Sequence, residues 1–398
     1  MGKIAAVTGN EAVANALRQA NPDVCSLYPI TPQTDIVQRF ASYVSNGQVD
    51  TELINAESEH SSMSAAIGAS AAGGRVVTAT SSQGLALMWE MLHIASATNL
   101  PIIMPLVNRA LSAPLNIHGD HSDGMGARDT GWIQLWSENA QEAYDNTVQA
   151  FRIGEHKDLR LPVMVCMDGF IISHSIERIE YLEDKQVKDF IGEFVNVNPL
   201  LDLEHPKSYG PLILTDLYME FKRLQHEIMG RVKKVVLDVA EDFYKLSGRR
   251  YGLFESYRLE DAEIGMVVMN SAAGTSKDVV DAFRDKGIKA GLLKPRLFRP
   301  FPYTEIADAL KHLKAVCVMD RADSYGGYGP MFMEISSALY QVTGNGSGVA
   351  KPKLINKIYG LGGRDYMPEQ AEQVFTELDA IAKGAPVKLV KDYIGVRE

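Results

Sequence analysis

Along the first half of the chain, short apolar runs alternate with stretches whose apolar residues recur every three or four positions. Asn10 to Ala20 has the helical spacing, and Val24 to Tyr28 is an apolar run that ends in a proline-rich stretch. A helix followed by a buried strand is predicted. Thr51 to Ala56 follows, then the small-residue stretch Ser62 to Gly73 as a tightly packed helix and Val76 to Thr80 as a strand. Gly84 to Ala97 reads as a helix, with Ile102 to Val107 and Leu161 to Met167 as further strands. Strands that alternate with helices in this way predict a parallel sheet covered on both faces.

From Leu214 to about Leu246 the pattern is charged and helical in period, interrupted only by Gly230, so a long connecting helix is expected and a domain boundary near Gly248. Beyond it, Ile264 to Met269, Ala290 to Leu293 and Ala315 to Met319 read as strands alternating with helices at Ser276 to Lys286 and Tyr303 to Leu313. The expected division is residues 1–247 and a smaller α/β domain, 248–398. A length of 398 residues suits two or three domains of roughly 100 to 200 residues.

The composition narrows the class of function. Hydrophobic residues make up 46% and charged residues 23%, the balance of an ordinary globular chain. A formal net charge of −10, with no dense Lys/Arg run, argues against nucleic acid. Cys25, Cys166 and Cys317 lie far apart without a CxxC, which argues against a disulfide framework or an iron–sulfur cluster held by this chain alone. No stretch approaches the roughly 20 apolar residues of a membrane span, and MGKIAAVTGN is no signal peptide, so a cytoplasmic location is expected.

The chemistry gathers where the predicted strands end. In open α/β sheets ligands bind beyond the carboxyl ends of the strands, and YPITP, ESEH, TSSQG, NRALSAP and DGF each follow a strand. In the loop containing Pro29, Ile30 and Thr31, the flanking prolines stiffen the backbone and fix the direction of the Thr31 hydroxyl. Glu57 and Glu59 open a small-residue helix. Either could cap it, and the Ser and Ala residues around Glu59 suit close approach of another large group. Arg109, at the end of IIMPLV, suits bidentate binding of a small carboxylate, or else a local salt bridge. Ser82 and Gln83 precede a helix, either as caps or as donors to an anion or heterocycle. His118, Asp120, His121 and Asp123 in HGDHSDG resemble a metal cluster in composition but lack a third His or Cys. A mobile loop hinged at its glycines is expected, and no metal. GGYG and GLGGRD in the second half read as turns.

Taken in order, YPITPQT, ESEHSSMSAA, TSSQGLALM, NRALSAP, HGDHSDGMGARDTGW and DGFIISH closely resemble the α subunit of pyruvate:ferredoxin oxidoreductase, of the 2-oxoacid:ferredoxin oxidoreductase family. So do FRPFP, DRADSYG and YGLGGRD towards the C-terminus. The resemblance implies a thiamine-diphosphate-binding, pyrimidine-type α/β domain followed by a transketolase-C-terminal-like domain, with the cofactor shared with a β subunit. It places Thr31 and Arg109 on the oxoacid and Glu59 at N1′ of the aminopyrimidine, where a carboxylate favours the imino tautomer that activates the cofactor. Pro29, Ile30, Ser82 and Gln83 would frame the cofactor. Mg²⁺ and [4Fe-4S] clusters would sit on partners: a β subunit with the diphosphate site and a cluster, a ferredoxin-like δ subunit, and a γ subunit associated with coenzyme A. The expected assembly is a dimer of hetero-oligomers of anaerobic metabolism, with an external ferredoxin as acceptor. Pyruvate is the expected substrate. The alternatives are a branched-chain oxoacid, 2-oxoglutarate, phenylglyoxylate or oxalate, and, in another class, a non-catalytic α/β regulatory or binding subunit.

Overall fold

The apolar runs Val24–Leu27, Val76–Val77, Ile102–Asn108 and Val163–Asp168 line up side by side because each is flanked by helices that cover it from both faces. A computed structural model describes residues 2–196, 198–344 and 351–397. Its larger sheet has seven strands in the spatial order Leu297–Arg299, Ile133–Trp136, Val163–Asp168, Ile102–Asn108, Val76–Val77, Val24–Leu27, Glu52–Asn55. All neighbours are parallel except Leu297–Arg299, which pairs antiparallel to Ile133–Trp136. The central strands Ile102–Asn108 and Val163–Asp168 are buried at every position, as a sheet covered on both faces requires.

The smaller sheet has six strands in the order Lys391–Tyr393, Lys353–Ile358, Ala315–Asp320, Ile264–Val267, Ala290–Pro295, Phe254–Tyr257, and only the last is antiparallel to its neighbour. A third, two-stranded sheet pairs Lys3–Thr8 with Ile176–Tyr181. The fold is thus α/β, with a larger parallel sheet and a second, smaller α/β domain.

Two features bind these parts together. One apolar cluster contains Leu106, Trp136 and Cys166 of the larger sheet alongside Phe298, Leu310, Val316 and Ile335 of the second half, so a continuous core runs between them. The 30-residue helix Tyr218–Ser247 buries Val232, Val235, Val236, Val239 and Phe243 against the first domain and stops at Gly248, whose φ of 73° is a left-handed helix end that favours glycine. The segment predicted as one helix over Gly84 to Ala97 is two, Ser82–Leu87 and Trp89–Ala97, meeting at Met88. All three cysteines are buried and free, and among the described residues no helix is long and apolar enough to cross a membrane.

Candidate active site

Because Val24–Leu27, Glu52–Asn55, Val76–Val77, Ile102–Asn108 and Val163–Asp168 are mutually parallel, their carboxyl ends share one edge of the larger sheet. The proline-rich loop, Glu59, the 80–84 loop, Arg109 and Asp168 therefore emerge on one rim.

The side-chain amides of Asn10 and Gln33 lock the proline-rich loop through backbone atoms. Asn10 Nδ2 donates to Pro32 O at 2.9 Å, Gln33 Nε2 to Ala79 O at 3.1 Å, and Ile30 N to Gln33 Oε1 at 3.3 Å. Pro29 and Thr31 are left exposed and Ile30 half-buried. Arg109 is buried at 6% exposure. Its Nε donates to Asn116 O at 2.9 Å and its NH1 to Thr31 O at 2.9 Å, leaving three of the five N–H groups of the fork unpartnered among the described residues. Burial lowers its pKa, the buried Asp123 works against that shift, and the guanidinium remains a cation. No acidic side chain pairs with it directly among the described residues.

Glu59 occupies the first position of the helix Glu59–Ala72, whose N-cap is Ser58, with Ser58 Oγ accepting from Ser61 N at 3.2 Å. Glu57 is exposed and accepts from the Ser61 hydroxyl, so the capping role falls to its neighbour. Glu59 is 7% exposed, and its carboxylate accepts no hydrogen bond among the described residues. Gly84 presses on it: a Cβ there would stand 2.7 Å from Glu59 Oε1 and 2.4 Å from Thr80 Oγ1, itself a buried hydroxyl without a partner. A carboxylate that accepts no hydrogen bond from the described residues is free to accept one from a ligand, and the missing Cβ keeps the space beside it open. An N–H donor of a flat heterocycle fits this arrangement.

Asp123 organises the rest of the rim. Its Oδ2 accepts from Ser82 N at 2.9 Å and Arg109 N at 3.0 Å, and its Oδ1 from Asn108 Nδ2 at 2.8 Å and Gly124 N at 2.6 Å. Burial pushes its pKa up to about 6 against these four donors. Ser82, at φ 47°, is fully buried, and its hydroxyl donates to Ala110 O at 2.5 Å. Gln83 is half-buried, and its amide reaches Ser112 Oγ at 2.5 Å. Of the residues in HGDHSDG, His118 is exposed while Asp120, His121 and Asp123 are buried. His121 Nε2 lies 2.8 Å from Asp168 Oδ1. Asp168 Oδ2 also takes Ser271 Oγ at 2.5 Å and pairs with Arg321 at 3.2 Å. Burial alone would raise the Asp168 pKa, but the charges of Arg321 and His121 outweigh it and hold the carboxyl well below its usual range.

Sequence reasoning passes over Asn116, Gly84, Ser271 and Arg321. Gly84 carries a signal, since a glycine directly after a polar loop at a helix start often marks a close approach. Ser271, Arg321 and the Asn116 amide nitrogen acquire their partners through tertiary contact. Elsewhere Glu138, Glu142 and Glu255 converge as a metal site would, yet Lys294 Nζ stands among them at 2.6, 2.5 and 2.9 Å and fills the place of a cation.

Residues 15–241 match the family described as pyruvate flavodoxin/ferredoxin oxidoreductase, thiamine diphosphate-binding, and residues 262–371 match pyruvate:ferredoxin oxidoreductase core domain II. The chain belongs to the pyruvate flavodoxin/ferredoxin oxidoreductase family. It is 53% identical over 393 residues to pyruvate synthase subunit PorA of Thermotoga maritima, covering 99% of this chain and 98% of that one. With PorA of Methanocaldococcus jannaschii it shares 43% over 382 residues, covering 95% and 96%. Ketoisovalerate oxidoreductase subunit VorA of Pyrococcus abyssi is 40% identical over 376 residues, covering 94% and 93%. Among solved structures, 2-oxoglutarate:ferredoxin oxidoreductase from Magnetococcus marinus superposes with a TM-score of 0.70 at 22% identity, over 95% of this chain and 66% of that chain. A split-gene transketolase superposes with a TM-score of 0.52 at 10% identity, over 95% and 98%. At these identities the two structures speak for the fold alone, an α/β arrangement of parallel sheets.

Proposed function

We propose that this chain is the α subunit of a pyruvate synthase, catalysing the reversible conversion of pyruvate, coenzyme A and oxidised ferredoxin to acetyl-CoA, CO₂ and reduced ferredoxin. The observation that carries the reading is the 53% identity to a pyruvate synthase subunit along nearly the whole of both chains. At 40–42% identity the PorA and VorA subunits of Pyrococcus abyssi are almost equally similar to this chain, so the preference for pyruvate over a branched acid rests on the higher figure.

Thiamine diphosphate, when bound, supplies the carbon nucleophile that attacks the 2-oxo group and takes up the electron pair released with CO₂. The part of this chain is to bind and orient. Glu59 would accept a hydrogen bond from N1′ of the aminopyrimidine, a donor its carboxylate lacks among the described residues. Pro29, Ile30 and Gln83 frame the ring, with Ser82 fixing the loop that carries Gln83. Arg109 holds the substrate carboxylate through the free N–H groups of its fork, and Thr31, whose carbonyl Arg109 binds, presents its hydroxyl to the oxoacid. The division 1–247 and 248–398 is proposed to separate the pyrimidine-type domain from the transketolase-C-terminal-like domain. The chain's three buried, scattered cysteines suit electron transfer through partner subunits: a β subunit with the diphosphate, Mg²⁺ and a cluster, a ferredoxin-like δ subunit, and a γ subunit that binds coenzyme A, in the cytoplasm.

The test is turnover of the purified complex with coenzyme A against a panel of 2-oxoacids. Pyruvate is expected to give the highest kcat/KM, and a preference for 2-oxoisovalerate or 2-oxoglutarate would overturn the assignment.

A further inference from the structure

From its local sequence GLGGRD reads as a turn, and in the structure Gly360–Gly363 lies against the loop that carries Arg109. Gly362 O accepts from Asn116 Nδ2 at 2.9 Å, and Gly362 N donates to Asp120 Oδ2 at 3.0 Å. The same Asn116 accepts Arg109 Nε on its backbone oxygen at 2.9 Å, and Arg109 NH1 continues to Thr31 O at 2.9 Å. A line of hydrogen bonds thus runs from the second domain to both proposed oxoacid ligands. The approach depends on the absence of side chains. Gly362 and Gly363 have φ of 62° and 82°, and added Cβ atoms would stand 2.5 Å from Asn116 Nδ2 and 2.2 Å from His118 Cβ.

Asn116 is suited to the task because its side chain is spent in two directions. Its Oδ1 accepts His118 N at 2.7 Å while its Nδ2 crosses to Gly362. Its neighbours Leu115 and Ile117 are 74% and 44% exposed, so Asn116 is the inward residue of an outward-facing stretch. Without the crossing bond, the carbonyl that steadies the guanidinium belongs to a loop with little packing of its own.

We infer that Asn116, held by the Gly360–Gly363 turn of the second domain, is a positioning residue that sets the direction of the Arg109 guanidinium towards the oxoacid carboxylate. The inference rests on the reading of Arg109 as the carboxylate holder. It makes the second domain a contributor to substrate affinity although none of its residues is placed on the substrate.

The experiment measures KM and kcat for pyruvate and KM for coenzyme A in the reassembled complex. Asn116→Asp keeps the acceptor for His118 N and replaces the donor facing Gly362 O with a second acceptor. Gly362→Ala disturbs the same bond from the other side, should the first variant fail to assemble. Both are expected to raise the pyruvate KM about tenfold, the scale of one oriented hydrogen bond, with kcat within about threefold and the coenzyme A KM unchanged. In an Arg109→Lys background, which keeps the charge and loses the fork, Asn116→Asp is expected to add nothing. Equal changes in kcat and both KM values, or an effect that persists undiminished beside Arg109→Lys, would mark a merely structural role and overturn the inference. Arg109→Lys raising the pyruvate KM while both other variants leave it unchanged would overturn the relay alone. No change with Arg109→Lys would overturn the reading of Arg109 and the relay with it.

Discussion

A carboxylate that accepts four hydrogen bonds in a dry interior can still be poorly disposed to ionise, and Asp123 is such a group. Its donors, Ser82 N, Arg109 N, Asn108 Nδ2 and Gly124 N, favour the charged form, but full burial outweighs them and the pKa rises from 3.8 to about 6. The sign for stability follows. Between those values the folded chain holds a proton that the unfolded chain has released, so this group's contribution is greatest below pH 4 and declines as the pH rises towards 6, by about 3 kcal/mol in all. Asp123→Asn should be less stable throughout, since its amide would face N–H donors. Its deficit should shrink between pH 4 and 6, as denaturant midpoints at a series of pH values would reveal. A constant deficit would mean that Asp123 does not titrate there.

At the scale of elements, the short helix Ser82–Leu87 meets the helix Glu59–Ala72 where Gly84 faces Glu59. Gly84→Ala separates stability from activity. Alanine should favour the helix by up to about 1 kcal/mol, while its Cβ must displace the Glu59 carboxylate or the Thr80 hydroxyl. Thermal stability is therefore expected to change little and oxoacid turnover in the complex to fall about tenfold or more. Unchanged turnover would show that the close contact has no functional weight.

The same elements show what the sequence makes legible. Strands buried at every position, such as Ile102–Asn108, stand out as continuous apolar runs. The rim follows from parallel order alone, which is why YPITP, Glu59 and Arg109 can be gathered from the sequence. The pair Lys3–Thr8 and Ile176–Tyr181 is largely exposed or half-buried and leaves no apolar signature. Leu297–Arg299 is three residues long, and nothing local says that it crosses to the larger sheet. Ser271 and Arg321, which meet Asp168, and Gly362, which meets Asn116, come from more than 100 residues away, beyond the reach of spacing.

For the molecule as a whole, the junction of Asp168 with His121, Ser271 and Arg321 ties the carboxyl edge of the larger sheet to the second domain inside the protein. Because the native pKa of Asp168 lies well below 3.8, its stabilisation is fully present above about pH 5 and is lost as the pH falls through the usual carboxyl range and below. Asp168→Asn leaves Arg321 buried without its counter-charge, which should cost about 3 to 5 kcal/mol at pH 7. The melting temperature should drop at neutral pH and the gap to the wild type should narrow in acid, whereas equal melting at pH 7 would remove the junction from any account of stability. The rim this junction supports carries Glu59, the residue proposed to complete the aminopyrimidine site. Pyruvate-dependent reduction of ferredoxin by the reassembled complex carrying Glu59→Gln tests that role most directly. A fall of about 10²-fold or more with assembly intact is predicted, and turnover within about threefold of the wild type would contradict it.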